Sequence, residues 1–182
     1  MKKIALFAFI ACIVPALTAA RADDSASNVL ELKEKIVELQ NQGTLGIKNL
    51  SPCSQITTIG SYTPILEAKF KQNEFLLVYF EPLNFSTAKP NGMYEVWLTE
   101  DMLILDEKGQ TLLEKPGVVQ THYTSASPIL DIYFNNRIEF ESVPAGKYIL
   151  KVVLYDKIKN TSASESLPFE VVEEEKPQTK QE

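Results

Sequence analysis

Val143-Pro144-Ala145-Gly146-Lys147-Tyr148-Ile149-Leu150-Lys151-Val152-Val153-Leu154-Tyr155-Asp156 is the stretch on which the fold turns. Pro144 and Gly146 punctuate a turn, and Tyr148 then opens a run in which Tyr148, Leu150, Val152 and Leu154 recur at every second position. A period of two places one set of side chains on one face of a strand. In two-sheet antiparallel sandwiches, a tyrosine at the start of the next-to-last strand hydrogen-bonds back to the corner before it. Only one further strand-like run, Leu167–Val172, follows here. Tyr148 therefore reads as such a corner residue, with a tyrosine that merely begins a strand as the plainer alternative.

Working outward, short β-type runs fill most of the chain. Ile47–Leu50 and Cys53–Ile59 are strand candidates separated at Pro52. Phe75–Phe80 is a continuous uncharged apolar run, as in a central strand covered on both faces. Tyr94–Thr99 alternates, and Met102–Leu105 and Thr111–Leu113 flank the turn Asp106-Glu107-Lys108-Gly109 as a hairpin. Val118–Tyr123 and Ile129–Phe134 follow, and the polar stretch Lys157–Ser164 links the last pair. About eight short strands with frequent turn signals predict a mainly all-β chain, an immunoglobulin-like antiparallel β-sandwich over residues 46–172.

A helical segment precedes it at residues 23–45. Val29, Leu32, Ile36 and Leu39 are spaced three, four and three apart, which makes one apolar stripe on a helix over residues 28–42. Asn28 with Glu31 fits a capping box, Glu31 and Lys35 form an i,i+4 pair, and Gly43 ends the helix. A helix this short needs a docking surface. The stripe is expected to lie across the sandwich, with pairing to a second chain as the other possibility. Residues 173–182 lack apolar side chains and read as a disordered acidic tail.

The stretch from Cys53 through Ile59-Gly60-Ser61-Tyr62, Phe70, Phe75–Glu81 and Asn84-Phe85 resembles a family of uncharacterised exported bacterial proteins. Pro144–Tyr148, with Asp156 closing the strand, resembles the ends of the same proteins and the corner of fibronectin type III-like domains. The resemblance covers roughly residues 46–172 and implies an immunoglobulin-like sandwich in an exported protein. It implies no activity and no site.

Met1-Lys2-Lys3, the apolar core Ile4–Ala11, Pro15 and the small residues of Ala20-Arg21-Ala22 have the form of a bacterial signal peptide over residues 1–22. The expected location is periplasmic or secreted, with no membrane span after cleavage. Lipid attachment at Cys12 is the less favoured route, because Phe9 stands where a lipobox carries Leu. Cleavage removes Lys2, Lys3 and Arg21 but no acid, and so takes the formal net charge from −6 to −9. Such a surface repels nucleic acid and anionic lipid. Cys53 is then the lone thiol. It reads as a small buried hydrophobe, with reaction or pairing between chains as the other reading.

The sequence argues against catalysis. His122 is the single histidine, and it lies among Gln120, Thr121, Tyr123 and Thr124 without a nucleophile motif beside it. One His and one Cys do not make a transition-metal site, and Glu100-Asp101 and Asp106-Glu107 lack the spacing of a calcium loop. Neither glycine-rich phosphate motif occurs. The sequons at Asn84 and Asn160 are incidental in a bacterial protein. No cofactor, metal or catalytic residue is expected.

The one candidate for recognition is Trp97 with Glu95, which face outward if Tyr94, Val96 and Leu98 face the core. A Trp97 that is covered by the N-terminal helix or half-buried is the plainer reading. The expected role is a non-catalytic interaction or structural module that binds another envelope protein. The alternative is a small-ligand or carbohydrate-binding module that uses an aromatic patch around Trp97.

Overall fold

The computed structural model describes residues 19–72, 74–140 and 143–173. Residues 1–18 of the expected leader, Cys12 among them, and residues 174–182 of the expected tail lie outside the described residues. Among the described residues helix α1 (Ala19–Gln42) leads into nine strands: β1 (Gly46–Thr58), β2 (Ser61–Pro64), β3 (Lys69–Lys71), β4 (Phe75–Leu83), β5 (Tyr94–Asp106), β6 (Thr111–Ser125), β7 (Phe134–Glu139), β8 (Gly146–Asp156) and β9 (Thr161–Val172). They form a β-sandwich of two sheets, ordered β2-β1-β4-β7 and β3-β9-β8-β5-β6. The sandwich is antiparallel as expected, except that β3 runs parallel to β9.

The inner faces follow the alternation of the sequence. Leu76, Val78 and Phe80 on β4 meet Val96 and Leu98 on β5 and Leu150, Val152 and Leu154 on β8, all of them fully buried. Phe80 stacks on Phe134, and Phe140 stacks on Phe169. Burial of each such side chain is worth roughly 1.5–3 kcal/mol. Tyr148 opens β8, and its hydroxyl donates to the Pro144 carbonyl at 2.8 Å. The corner read from the sequence is present.

Several boundaries differ from the sequence reading. β1 runs through Pro52 as one strand: Pro52 stands across from Val78 of β4, and its carbonyl accepts from the Ile65 N–H just past β2. β5 and β6 are each continuous rather than two runs. A bulge absorbs Pro116-Gly117 on β6, where Gly117 takes φ 63° and donates to Asp101 Oδ1 at 2.7 Å. The strand expected at Ile129–Phe134 lies instead at Phe134–Glu139, where Asn136 turns inward onto Glu100. Strand β9 begins at Thr161, inside the stretch taken as a polar linker, and the short β2 and β3 carried no signal.

Helix α1 starts at Ala19, so Asn28 is interior and does not cap. The expected docking of the apolar stripe is also reversed. Val29, Leu32, Ile36 and Leu39 are 50%, 65%, 43% and 57% exposed. The helix instead lies on the body through Val37, which is 8% exposed, and through polar bonds. Asn41 bonds both the N–H and the carbonyl of Thr87, each at 2.9 Å, and Gln40 donates to the Leu130 carbonyl. Glu34 accepts from Lys89 and from the Tyr94 hydroxyl, both at 2.6 Å. Those two partners hold its carboxyl below the ordinary value. At the helix exit Gly43 faces Asn84, whose Cγ would lie 2.4 Å from an added Cβ. Among the described residues no helix is long and apolar enough to cross a membrane.

Candidate functional site

Among the described residues strand β6 is one edge of its sheet, bonded to β5 alone. The β5–β6 register places Trp97 directly across from His122, and Glu95 across from Thr124. Tyr94, Val96 and Leu98 are buried, so Glu95 and Trp97 point outward as the alternation requires. Trp97 is 41% exposed, and α1, held on Thr87, Lys89, Tyr94 and Leu130, leaves it open. The reading in which the helix covers this indole is corrected. The polar bonds of Glu34, Gln40 and Asn41 set where α1 lies.

The indole and the His122 imidazole stack with centroids 4.8 Å apart and planes 20° apart. Nε2 of His122 lies 2.6 Å from Glu95 Oε1. Glu95, Trp97 and His122 thus form one exposed cluster, in which the sequence singled out the first two and left His122 as a solitary strand residue. The missing signal was the cross-strand register, which the bulge at Pro116-Gly117 shifts away from simple counting along the hairpin. The cluster offers a flat aromatic platform and a carboxylate paired with an imidazole. Tyr123, on the other face of the same edge, is also exposed.

The second half of β6, Val118–Ser125, is an open edge without Pro, Lys, Arg, Asp or Glu. The first half carries Glu114, Lys115, Pro116 and the bulge, features that discourage pairing with a further strand. Bonding capacity is therefore left on the segment that bears His122.

Other polar clusters lie elsewhere. On the outer face of the first sheet Tyr79 is stacked between Tyr62 and Tyr133, at 4.0 and 5.8 Å, and donates to Glu81 Oε1 at 2.6 Å. Burial, and then the Glu81 carboxylate, push the Tyr79 phenol up to about 12. Burial also acts to raise the Glu81 carboxyl, but bonds from Tyr79, Lys48 and Asn49 outweigh it and hold that group low. Inside the sandwich Glu100 is fully buried, and Asn136 donates to its Oε1 at 2.7 Å, while Oε2 has no partner. Burial pushes its carboxyl up to about 8. Cys53 is buried, and desolvation raises its thiol, which leaves it poorly nucleophilic at neutral pH. Among the described residues no group of three or more His, Cys, Asp or Glu side chains is placed to hold a metal ion. One cleft of about 510 Å³ lies between the sheets beside Met102, Ile138 and Leu150, and a shallower one of about 550 Å³ lies beside Tyr148 and Phe169. Neither is lined by Trp97.

No protein-family model matches the sequence, and no curated protein matches it. Among solved structures the chain is similar to a Pseudomonas fluorescens alkylpurine DNA glycosylase, AlkC, bound to DNA containing an abasic-site analogue. The TM-score is 0.38 and the identity 11%, over 85% of this chain and 39% of that one. It is also similar to the CARDB domain of a Pyrococcus furiosus protein in complex with di-metal ions, with TM-score 0.35 and 10% identity over 71% and 86% of the two chains. A third is the soluble domain of PmoD from a Methylocystis species, with TM-score 0.31 and 14% identity over 70% and 90%. Overlaps this low decide nothing about fold or function.

Proposed function

We propose that this chain is a non-catalytic exported module that binds an extended segment of another envelope protein along the second half of β6. The observation that carries the reading is the open edge Val118–Ser125, unguarded by charge or proline, with Trp97 stacked on His122 beside it. Strand addition supplies main-chain hydrogen bonds to such an edge, and neighbouring side chains supply selectivity. The indole and Glu95 then contact alternate side chains of the added strand. A charge of −9 after leader removal disfavours nucleic acid as the partner.

A photocrosslinking residue placed at Gln120 in cells tests this reading. The expected result is one crosslinked envelope protein, lost in the double variant Gln120→Lys/Thr124→Lys, which guards the edge with charge. Trp97→Ala is expected to weaken that binding by about tenfold or more, as for an aromatic anchor. A second reading, carbohydrate binding, rests on the same exposed indole. Glycan-array binding lost in Trp97→Ala, with no protein crosslinked at Gln120, would overturn the first reading in favour of the second.

A further inference from the structure

We propose that α1 pairs with α1 of a second copy of this chain as a parallel two-stranded coiled coil along Val29, Leu32, Ile36 and Leu39. The inference is independent of the β6 edge. Four large apolar side chains stand exposed in one row of a helix that meets the body along a neighbouring face. Glu34, Val37, Gln40 and Asn41 hold that face. The exposed row is spaced three, four and three, the a-d-a-d sequence of a heptad. β-Branched Val29 and Ile36 fall at a, and Leu32 and Leu39 fall at d. That distribution favours two parallel strands.

The flanking rows choose the orientation. Positions e are Lys33 and Gln40, and positions g are Asn28 and Lys35. In a parallel, in-register pair, g of one helix faces e of the following heptad in the other. Asn28 then meets Lys33 of the second copy, and Lys35 comes beside Gln40, whose amide N–H is already given to the Leu130 carbonyl, so no like charges touch. An antiparallel pair sets e against e and g against g. Near its centre it brings Lys33 against Lys33 and Lys35 against Lys35, which is repulsive. The seam is short, but the bonds to Thr87, Leu130, Lys89 and Tyr94 already hold the helix formed. Association therefore does not bear the cost of helix nucleation.

Sedimentation of the protein purified after export, over micromolar to millimolar concentrations, is expected to show a reversible dimer. Ile36→Asp and, separately, Leu32→Asp are expected to give monomers with an unchanged β-sheet circular dichroism spectrum. Two variants are used so that misfolding of one leaves the other informative. Ile36→Cys is expected to crosslink to itself under mild oxidation, because a faces a in the parallel pair, and the buried Cys53 does not compete. A monomer throughout the concentration range would overturn the proposal and leave a helix of a different protein as the occupant. A dimer unaffected by both aspartates would overturn it as well. Crosslinking only in a mixture of Leu32→Cys with Ile36→Cys, and not in Ile36→Cys alone, would show the antiparallel pair instead.

Discussion

At the scale of single residues, the two most informative side chains are Tyr148 and Glu100. The Tyr148 hydroxyl satisfies the Pro144 carbonyl, so Tyr148→Phe removes one part-buried bond and leaves that acceptor without its partner. The expected loss is about 1–2 kcal/mol, read as a lower midpoint in urea with an unchanged slope. Glu100 is fully buried with one bond from Asn136, and its carboxyl titrates near 8 in the fold against 4.5 in a free side chain. Between those values the folded chain keeps a proton that the unfolded chain has released. The contribution of this group to stability is therefore full below pH 4.5 and is lost as pH rises toward 8, at a rate of up to about 1.4 kcal/mol per pH unit. Glu100→Gln is expected to flatten that decline and to raise the melting temperature above pH 8. An equally steep decline in the variant would mean that another group is responsible.

At the scale of elements, α1 shows what hydrophobic spacing reveals and what it leaves out. The stripe at Val29, Leu32, Ile36 and Leu39 was legible as a helical face. Its orientation was not, because the helix is held by the amides of Gln40 and Asn41 against the main chain of residues 130 and 87, contacts without periodicity. Asn41→Ala is expected to speed amide exchange throughout α1 while leaving the exchange of β4 and β8 unchanged, since the helix opens without the sandwich. Gly43→Ala forces a methyl group against Asn84 and is expected to cost about 1–3 kcal/mol. The double variant Gly43→Ala/Asn84→Gly is expected to regain most of it, because residue 84 has φ 55°, where glycine is at ease. The strands tell the same story as the helix. Tyr148, Leu150, Val152 and Leu154 announced β8 through alternation. β7 was hidden because Asn135-Asn136-Arg137 reads as a turn until Glu100 is known to stand across from Asn136. Pro116-Gly117 reads as a break until β5 supplies the Asp101 carboxylate that receives the bulge.

At the scale of the whole molecule, Glu95 and Trp97 were legible as an outward pair because Tyr94, Val96 and Leu98 claim the core. His122 joins them only through the pairing of two strands, a relation that lies outside local sequence. The separation of the two exposed features has a further consequence. The body hangs from one face of α1 and the apolar row lies on a neighbouring one, so pairing along that row leaves two bodies, each with its own free β6. The assembly is then bivalent. On a surface where its target is crowded, the second contact forms at the high local concentration set by the first, and avidity can exceed single-site affinity by about a hundredfold or more. Ile36→Asp is accordingly expected to leave binding to the dissolved target unchanged while release from a densely coated surface becomes much faster. On a sparsely coated surface the variant and the parent should dissociate alike, so the response of this protein would depend on how closely its targets are spaced.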